Sequence, residues 1–312
     1  MNNILDENEM TVRIENLIGK KENYLTIRKG IREGLEKNPL GSQIIKSIGD
    51  EGTYQLVKQY EKDKVEHLIF RLQGAQGINY HDYELIKRNG KIMAADMYIY
   101  LVGENLSQIV ADVEMEGWND EIIKEQVEKT TRVQKLLSMG YYQQARDTFL
   151  SIPISTRGNK IVMLLDIETS MGVNDTEALN SATRKYMYKY AQDPCVYLTL
   201  LNADFINRDY LKAINDIDSL DRLINKDPFL DYFRGLTYKM LVMQDSAQAC
   251  FERLKSNMPD FENAYIELIV SYMNTSQYDK AKEIAKVYKQ KIKNNKLELL
   301  IEKHPEYKQY LE

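Results

Sequence analysis

A spacing of 34 residues governs the larger part of this chain. Tyr142, Ala145 and Phe149 close the segment 140–149, Gly-Tyr-Tyr-Gln-Gln-Ala-Arg-Asp-Thr-Phe. Tyr210 and Ala213 recur 68 residues on, Tyr278 and Ala281 after another 68, with Ala247 and Phe251 in the same frame between them. Units beginning at Gln126, Lys160, Pro194, Pro228 and Glu262 follow without insertion or deletion. Self-similarity at such a period means units that cannot bury their apolar faces alone and that stack on their neighbours. One closed globular core is excluded for 126–295.

Unit 228–261 carries Gly235, Tyr238, Ala247, Phe251 and Pro259 at its positions 8, 11, 20, 24 and 32. Unit 262–295 carries Tyr265, Leu268, Tyr272, Tyr278 and Ala281 at positions 4, 7, 11, 17 and 20. Small residues at 8 and 20 let two helices approach closely, large ones fill the space between units, and a proline near 32 ends the second helix. These residues resemble the tetratricopeptide repeat, a 34-residue helix–turn–helix unit. The departures are Leu201 and Ile269 at position 8, and Ile167, Ser170, Leu179 and Thr183 in unit 160–193. The expected fold is mainly α: a TPR-like α-solenoid of five repeats behind a small α+β N-terminal domain. Leu297, Leu300 and Ile301 share one helix face, so 296–312 reads as a capping helix, stopped by His304-Pro305.

Before Gln126 the period changes, and 1–120 reads as a separate domain. Helices are expected over 23–37 and 42–60, with 53–64 as the end of the second. Strands follow at 65–72, 78–88 and 91–102. Asn89-Gly90 joins the last two, because both residues tolerate positive φ. With that turn Tyr83 faces Asp96, Asp82 faces Met97, His81 faces Tyr98 and Tyr80 faces Ile99. One face then holds Tyr80, Asp82, Glu84, Met97 and Ile99 and packs on the helices. The other holds His81, Tyr83, Asp96, Tyr98 and Tyr100. Helices followed by a curved antiparallel sheet resemble the nuclear transport factor 2 superfamily in the order of elements.

The net charge of −5 argues against a general nucleic-acid binder. The two cysteines, Cys195 and Cys250, occupy different repeat positions and read as buried free thiols. No stretch approaches the ~20 apolar residues of a membrane helix, and the first ten residues have no secretory pattern. The expected location is the cytoplasm, or the periplasm or exterior if a leader has been removed.

Three histidines in all (His67, His81, His304) make no metal cluster, no phosphate loop or nucleophile motif is present, and no cofactor is expected. In the register above Tyr80, Asp82 and Glu84 outline an N-terminal pocket in which burial would raise a carboxylate pKa. Carboxylates at a solvated sheet end are the alternative. The His81, Tyr83, Asp96, Tyr98 and Tyr100 group is either a proton-transfer site or a set of cross-strand pairs that stabilise the sheet. The TPR resemblance implies a concave groove lined by each first helix, here Leu164, Leu198, Asn202, Phe205, Tyr232, Leu236, Lys239 and Ile266. The Lys/Asn clamp by which some relatives grip a terminal carboxylate is absent, with Asn202 alone. The reading is a non-enzymatic scaffold that holds an apolar segment of a protein partner. The groove's other occupants would be this chain's own N-terminal domain or a second copy. The alternative is a small-molecule-binding or enzymatic N-terminal domain that the repeats support.

Overall fold

The computed structural model describes residues 4–19, 24–37, 39–49, 52–74, 77–116, 121–190, 193–224, 226–292 and 295–311. They form two compact units, Met1–Thr199 and Leu200–Glu312. The first unit begins with helices α1 (Glu7–Ile18), α2 (Tyr24–Lys37) and α3 (Leu40–Ile48). Asp6 caps α1 by accepting from the Glu9 amide at 2.9 Å. The strands β1 (Thr53–Lys62), β2 (Val65–Gly74), β3 (Gly77–Arg88), β4 (Lys91–Ile99) and β5 (Glu104–Asn105) form an antiparallel meander in chain order. Leu5 adds a single parallel bridge to Ala94 on β4. Helix α4 (Leu106–Glu116) follows. The likeness to the nuclear transport factor 2 superfamily stays confined to helices preceding a sheet.

Two sequence expectations are corrected here. The stretch expected to end a helix over 42–60 is instead β1. Gly49, at φ 65°, terminates α3. Asp63 and Lys64, at φ 52° and 67°, then make a second two-residue hairpin turn. Neither residue of that turn is glycine, so it carried no strong sequence signal.

The second correction is one of register. Arg88↔Lys91 through Leu85↔Ala94 pair as Asn89-Gly90 dictates. Ala95 is then an extra residue, and Glu84 pairs Asp96, Tyr83 pairs Met97, Asp82 pairs Tyr98 and His81 pairs Ile99. A slip of one residue exchanges the faces of a strand. His81 and Tyr83 therefore share a face with Met97 and Ile99, whereas Tyr80, Asp82 and Glu84 share one with Asp96 and Tyr98. The apolar side, Tyr83, Ala94 and Met97 with Leu5, packs with Leu40 of α3 and Leu106 of α4.

The repeats are helical hairpins in the expected frame. They comprise α5 (Glu121–Ser138) with α6 (Tyr142–Leu150), α7 (Lys160–Gly172) with α8 (Thr176–Tyr190), α9 (Cys195–Asn207) with α10 (Tyr210–Leu223), α11 (Leu230–Met240) with α12 (Gln244–Asn257), and α13 (Glu262–Asn274) with α14 (Tyr278–Lys291). Every second helix starts 34 residues after the last. So does the residue two before it, left-handed in each case: Gly140, Asn174, Arg208, Val242 and Ser276. Ala145, Ala213, Ala247 and Ala281 are fully buried where the small position 20 was expected. In the second unit α15 (Lys296–Lys303) buries Leu297 against the last hairpin. The chain stops that helix at His304, turns through Pro305–Tyr307 and ends in α16 (Lys308–Leu311).

A Cβ on Gly235 would lie 2.3 Å from the Phe251 ring, so glycine is what lets α11 and α12 touch there. Gly235→Ala is expected to destabilise the chain by roughly 1–2 kcal/mol in urea unfolding, overpacking outweighing the ~1 kcal/mol of helix propensity gained. An unchanged or raised midpoint would contradict that contact. Val242 is β-branched, exposed and left-handed at φ 60°. Val242→Asn is expected to raise the calorimetric Tm by about 2–4 °C, because Asn tolerates this conformation and little packing is lost.

Candidate binding site

The first helix of each hairpin supplies the residues expected to line a groove, and the two units treat them differently. In the first unit Leu164 and Leu198 are buried, at 4% and 5% exposure. In the second unit Phe205, Tyr232, Leu236, Lys239 and Ile266 are half-buried. The side chain of Asn202 lies outside the described residues. Tyr232, Leu236 and Ile266 pack on one core cluster around Tyr265 and Leu268. The Tyr232 ring meets Phe261 edge-on at 5.3 Å and Phe229 at 5.9 Å, an arrangement favoured by the ring quadrupoles. Lys239 pairs with Glu267 of the next hairpin. Burial, and then the nearby Glu267, push the Tyr232 hydroxyl pKa up. Tyr232, Leu236 and Ile266 thus make a partly exposed aromatic and aliphatic strip with an ion pair beside it, and Phe205 meets Tyr210 at 6.4 Å.

The residues expected to outline an N-terminal pocket lie on the sheet face away from α3. Tyr80 is fully buried, its ring 5.8 Å from Tyr100. Asp82 accepts from Tyr60 Oη at 2.5 Å and lies 3.1 Å from His67 Nδ1. Glu84 takes a two-pronged ion pair from Arg13 of α1 at 2.9 and 2.5 Å. Hydrogen bonding to that guanidinium holds the Glu84 carboxyl below the usual range. This is the reverse of what a general base at neutral pH requires. Asp96 accepts from the Ser107 amide and hydroxyl at 3.1 and 2.5 Å, tying β4 to α4. His81 and Tyr83 stand on the opposite face from Asp96, Tyr98 and Tyr100, so the expected His–Asp constellation is not brought together.

A junction that the sequence did not single out joins β4 to α7 and α9. Lys160, the first residue of α7, bonds both Asp193 and the carbonyl of Gly103. Its ammonium stands 5.7 Å from the Tyr98 ring centroid and 5.2 Å from that of Tyr190. Asp193 also accepts from Tyr98 Oη at 3.0 Å and from the Cys195 amide at 2.9 Å. The Cys195 thiol donates to the Leu101 carbonyl at 3.4 Å, and burial pushes its pKa up. A Cβ on Gly103, left-handed at φ 73°, would fall 2.9 Å from Lys160 Cε and 3.1 Å from Cys195 Cβ. The turn after β4 is thus seated against the second and third first-helices, beside an open polar cleft of about 470 Å³ lined by Glu104, Asp112 and Lys189. The one sequence hint was a lysine directly before the apolar run Ile161–Leu165. Among the described residues no group of three or more His, Cys, Asp or Glu is placed to hold a metal ion. None of their helices is long and apolar enough to cross a membrane.

Burial, and then the Asp112 charge, push the Glu104 carboxyl up to about 7. A carboxyl raised on folding stabilises the fold while protonated. That contribution is complete below its ordinary value of 4.5 and is lost as pH rises through 7. Glu104→Gln is therefore expected to flatten the fall in urea-unfolding stability between pH 5 and pH 8. A variant whose pH profile overlays the parent's would remove Glu104 from that role.

No family model matches this chain, and no curated protein matches it in sequence. Solved structures are similar to it. MamA is 19% identical with a TM-score of 0.46, covering 55% of this chain and 94% of its own. A tetratricopeptide repeat protein of Parabacteroides merdae is 14% identical with a TM-score of 0.44, covering 60% and 75%. A thermophilic TPR protein of Thermus thermophilus is 16% identical with a TM-score of 0.38, covering 56% and 95%. The 34-residue hairpins of this chain, in their own geometry, are those of a TPR-like fold.

Proposed function

We propose that this chain is a non-enzymatic scaffold whose second unit holds an apolar segment of a protein partner. The observation that carries the reading is the half-buried strip of Phe205, Tyr232, Leu236 and Ile266 on successive first helices. Aromatic side chains that are rigid and only partly covered are typical anchors of an interface. The Lys239–Glu267 pair beside the strip would fix the register of a segment more than its affinity. In the first unit Leu164 and Leu198 are already covered, and the turn of Leu101–Gly103 occupies Cys195 and Lys160. This supports an intramolecular occupant there and an intermolecular one in the second unit. Glu84 and Asp82, committed to Arg13, Tyr60 and His67, favour this reading over catalysis at the predicted pocket.

Affinity capture with the intact chain is expected to recover a partner that Tyr232→Ala and Leu236→Ala release. Loss of one anchor is worth about 2 kcal/mol, roughly thirtyfold in Kd. Thermal melts of both variants establish that they are folded. Full retention of the partner by both would remove the strip from the binding surface. Recovery of the chain's own copies instead of another protein would point to self-association.

A further inference from the structure

A cavity of about 220 Å³ lies between α3 and the sheet, on the face opposite the predicted pocket. Leu40 and Ile44 of α3 form one wall. Leu72, Met97, Ile99 and His81 form the other. Two glycines set its shape. A Cβ on Gly74 would lie 2.0 Å from the Ser47 carbonyl oxygen, and one on Gly52 would lie 2.3 Å from those of Ile48 and Gln73. The C-terminal end of α3 therefore rests on backbone. Nearer its start the helix stands on Leu40, packed with Tyr83, Ala94 and Met97. The cavity runs along the helix between these supports, past Ile44.

Among the described residues its lining contains no aspartate, glutamate, lysine or arginine. Burial pushes His81, the titratable group among the described lining residues, down to about 4, so the ring is neutral at pH 7. The polar atoms are oriented in sequence. Asn79 Oδ1 accepts from the Tyr80 and Leu101 amides, each at 2.8 Å. This leaves Asn79 Nδ2 to donate to His81 Nε2 at 3.3 Å. With Nε2 accepting, the ring proton sits on Nδ1 and is donated to Tyr54 Oη at 3.1 Å. Tyr54 is then free to donate to Tyr83 Oη at 2.8 Å. The Asn79 bond is long for an N–H donor, so a better-placed donor would take the single Nε2 lone pair in its stead.

We propose that this cavity is a binding site for a small uncharged molecule with an apolar body and one hydroxyl or N–H donor, which His81 accepts. An apolar cavity near 150 Å³ is known to hold benzene, so about 220 Å³ suits a single ring with a substituent or a compact fused pair. Among the described lining residues no counter-charge offsets the desolvation of a charged ligand. A preformed apolar pocket with few convergent polar groups is the common architecture of small-molecule sites. The site goes beyond the scaffold reading and shares no residue with the strip assigned to it.

The test is calorimetric titration of the full chain with phenol, indole, toluene and benzoate. Phenol and indole are expected to bind, toluene about tenfold more weakly than phenol because one hydrogen bond is lost, and benzoate not to bind. His81→Phe should bring phenol and toluene to the same affinity. Ile44→Trp, which fills the cavity, should abolish binding of both. Ser47 is an exposed residue of the lining, so Ser47→Trp, obstructing the cavity from the surface, gives the same readout if Ile44→Trp does not fold. Phenol affinity should be constant from pH 5 to pH 8. Failure of every probe to bind at millimolar concentration, benzoate binding as tightly as phenol, or unaltered phenol binding in a folded tryptophan variant each overturns the proposal. Partner capture is unaffected by any of these outcomes, so the two readings fail separately.

Discussion

The close approach of two helices within each hairpin is the contact on which the repeat architecture depends. In four of the five hairpins it uses a small residue on one helix under a large one on the other, and the second carries Ile167 and Leu179 instead. Ala145, Ala213, Ala247 and Ala281 supply it on the second helices with no exposed surface, and Gly235 supplies it under Phe251 on a first helix. A left-handed residue two positions before each second helix returns the chain at the required angle. Glycine suits that position, yet Arg208, Val242 and Ser276 occupy it in three hairpins. The packing gained from the two helices outweighs a local strain of ~1–2 kcal/mol at each such residue. Hairpin geometry, rather than turn chemistry, is the stronger constraint.

The α+β part depends on a different device. One extra residue, Ala95, changes which side of β4 faces α3. It sets Tyr83, Met97 and Ile99 on the covered side with His81. Asp82, Glu84, Asp96 and Tyr98 fall on the other, where charge is answered by charge and hydroxyl: Arg13, Tyr60, Ser107 and, through Asp193, Lys160. Buried carboxylates are tolerable only with such partners. The same slip leaves the apolar face free to enclose a cavity under α3. The polar face is the one from which Tyr98 reaches Asp193 and so meets the second hairpin. The division of labour between the faces follows from that single insertion.

Some parts of this fold were legible because their cause is local. Asn89-Gly90 announced its turn, and the first four pairs beyond it follow. His304-Pro305 announced the end of the capping helix. The hairpin at Asp63-Lys64 was not legible, because neither residue is specific for a left-handed turn, and β1 was read as helix. The bulge at Ala95 was not legible either. It is decided by the surfaces that the two faces must meet, and no residue near it marks the insertion. Lys160 and Gly103 lie 57 residues apart and make sense only together.

What the sequence determined by itself is the period, and with it the frame of the hairpins, whose second helices start every 34 residues although the first hairpin begins at Glu121 rather than Gln126. It also marked the first helices as the apolar side of the repeats. The tertiary structure alone decided which of those positions are covered, Leu164 and Leu198 buried while Tyr232 and Leu236 stay partly open. It likewise decided which face of the sheet holds charge and which holds a cavity. Burial and register are set by what packs against an element from far along the chain, and a periodic pattern carries no record of that neighbour.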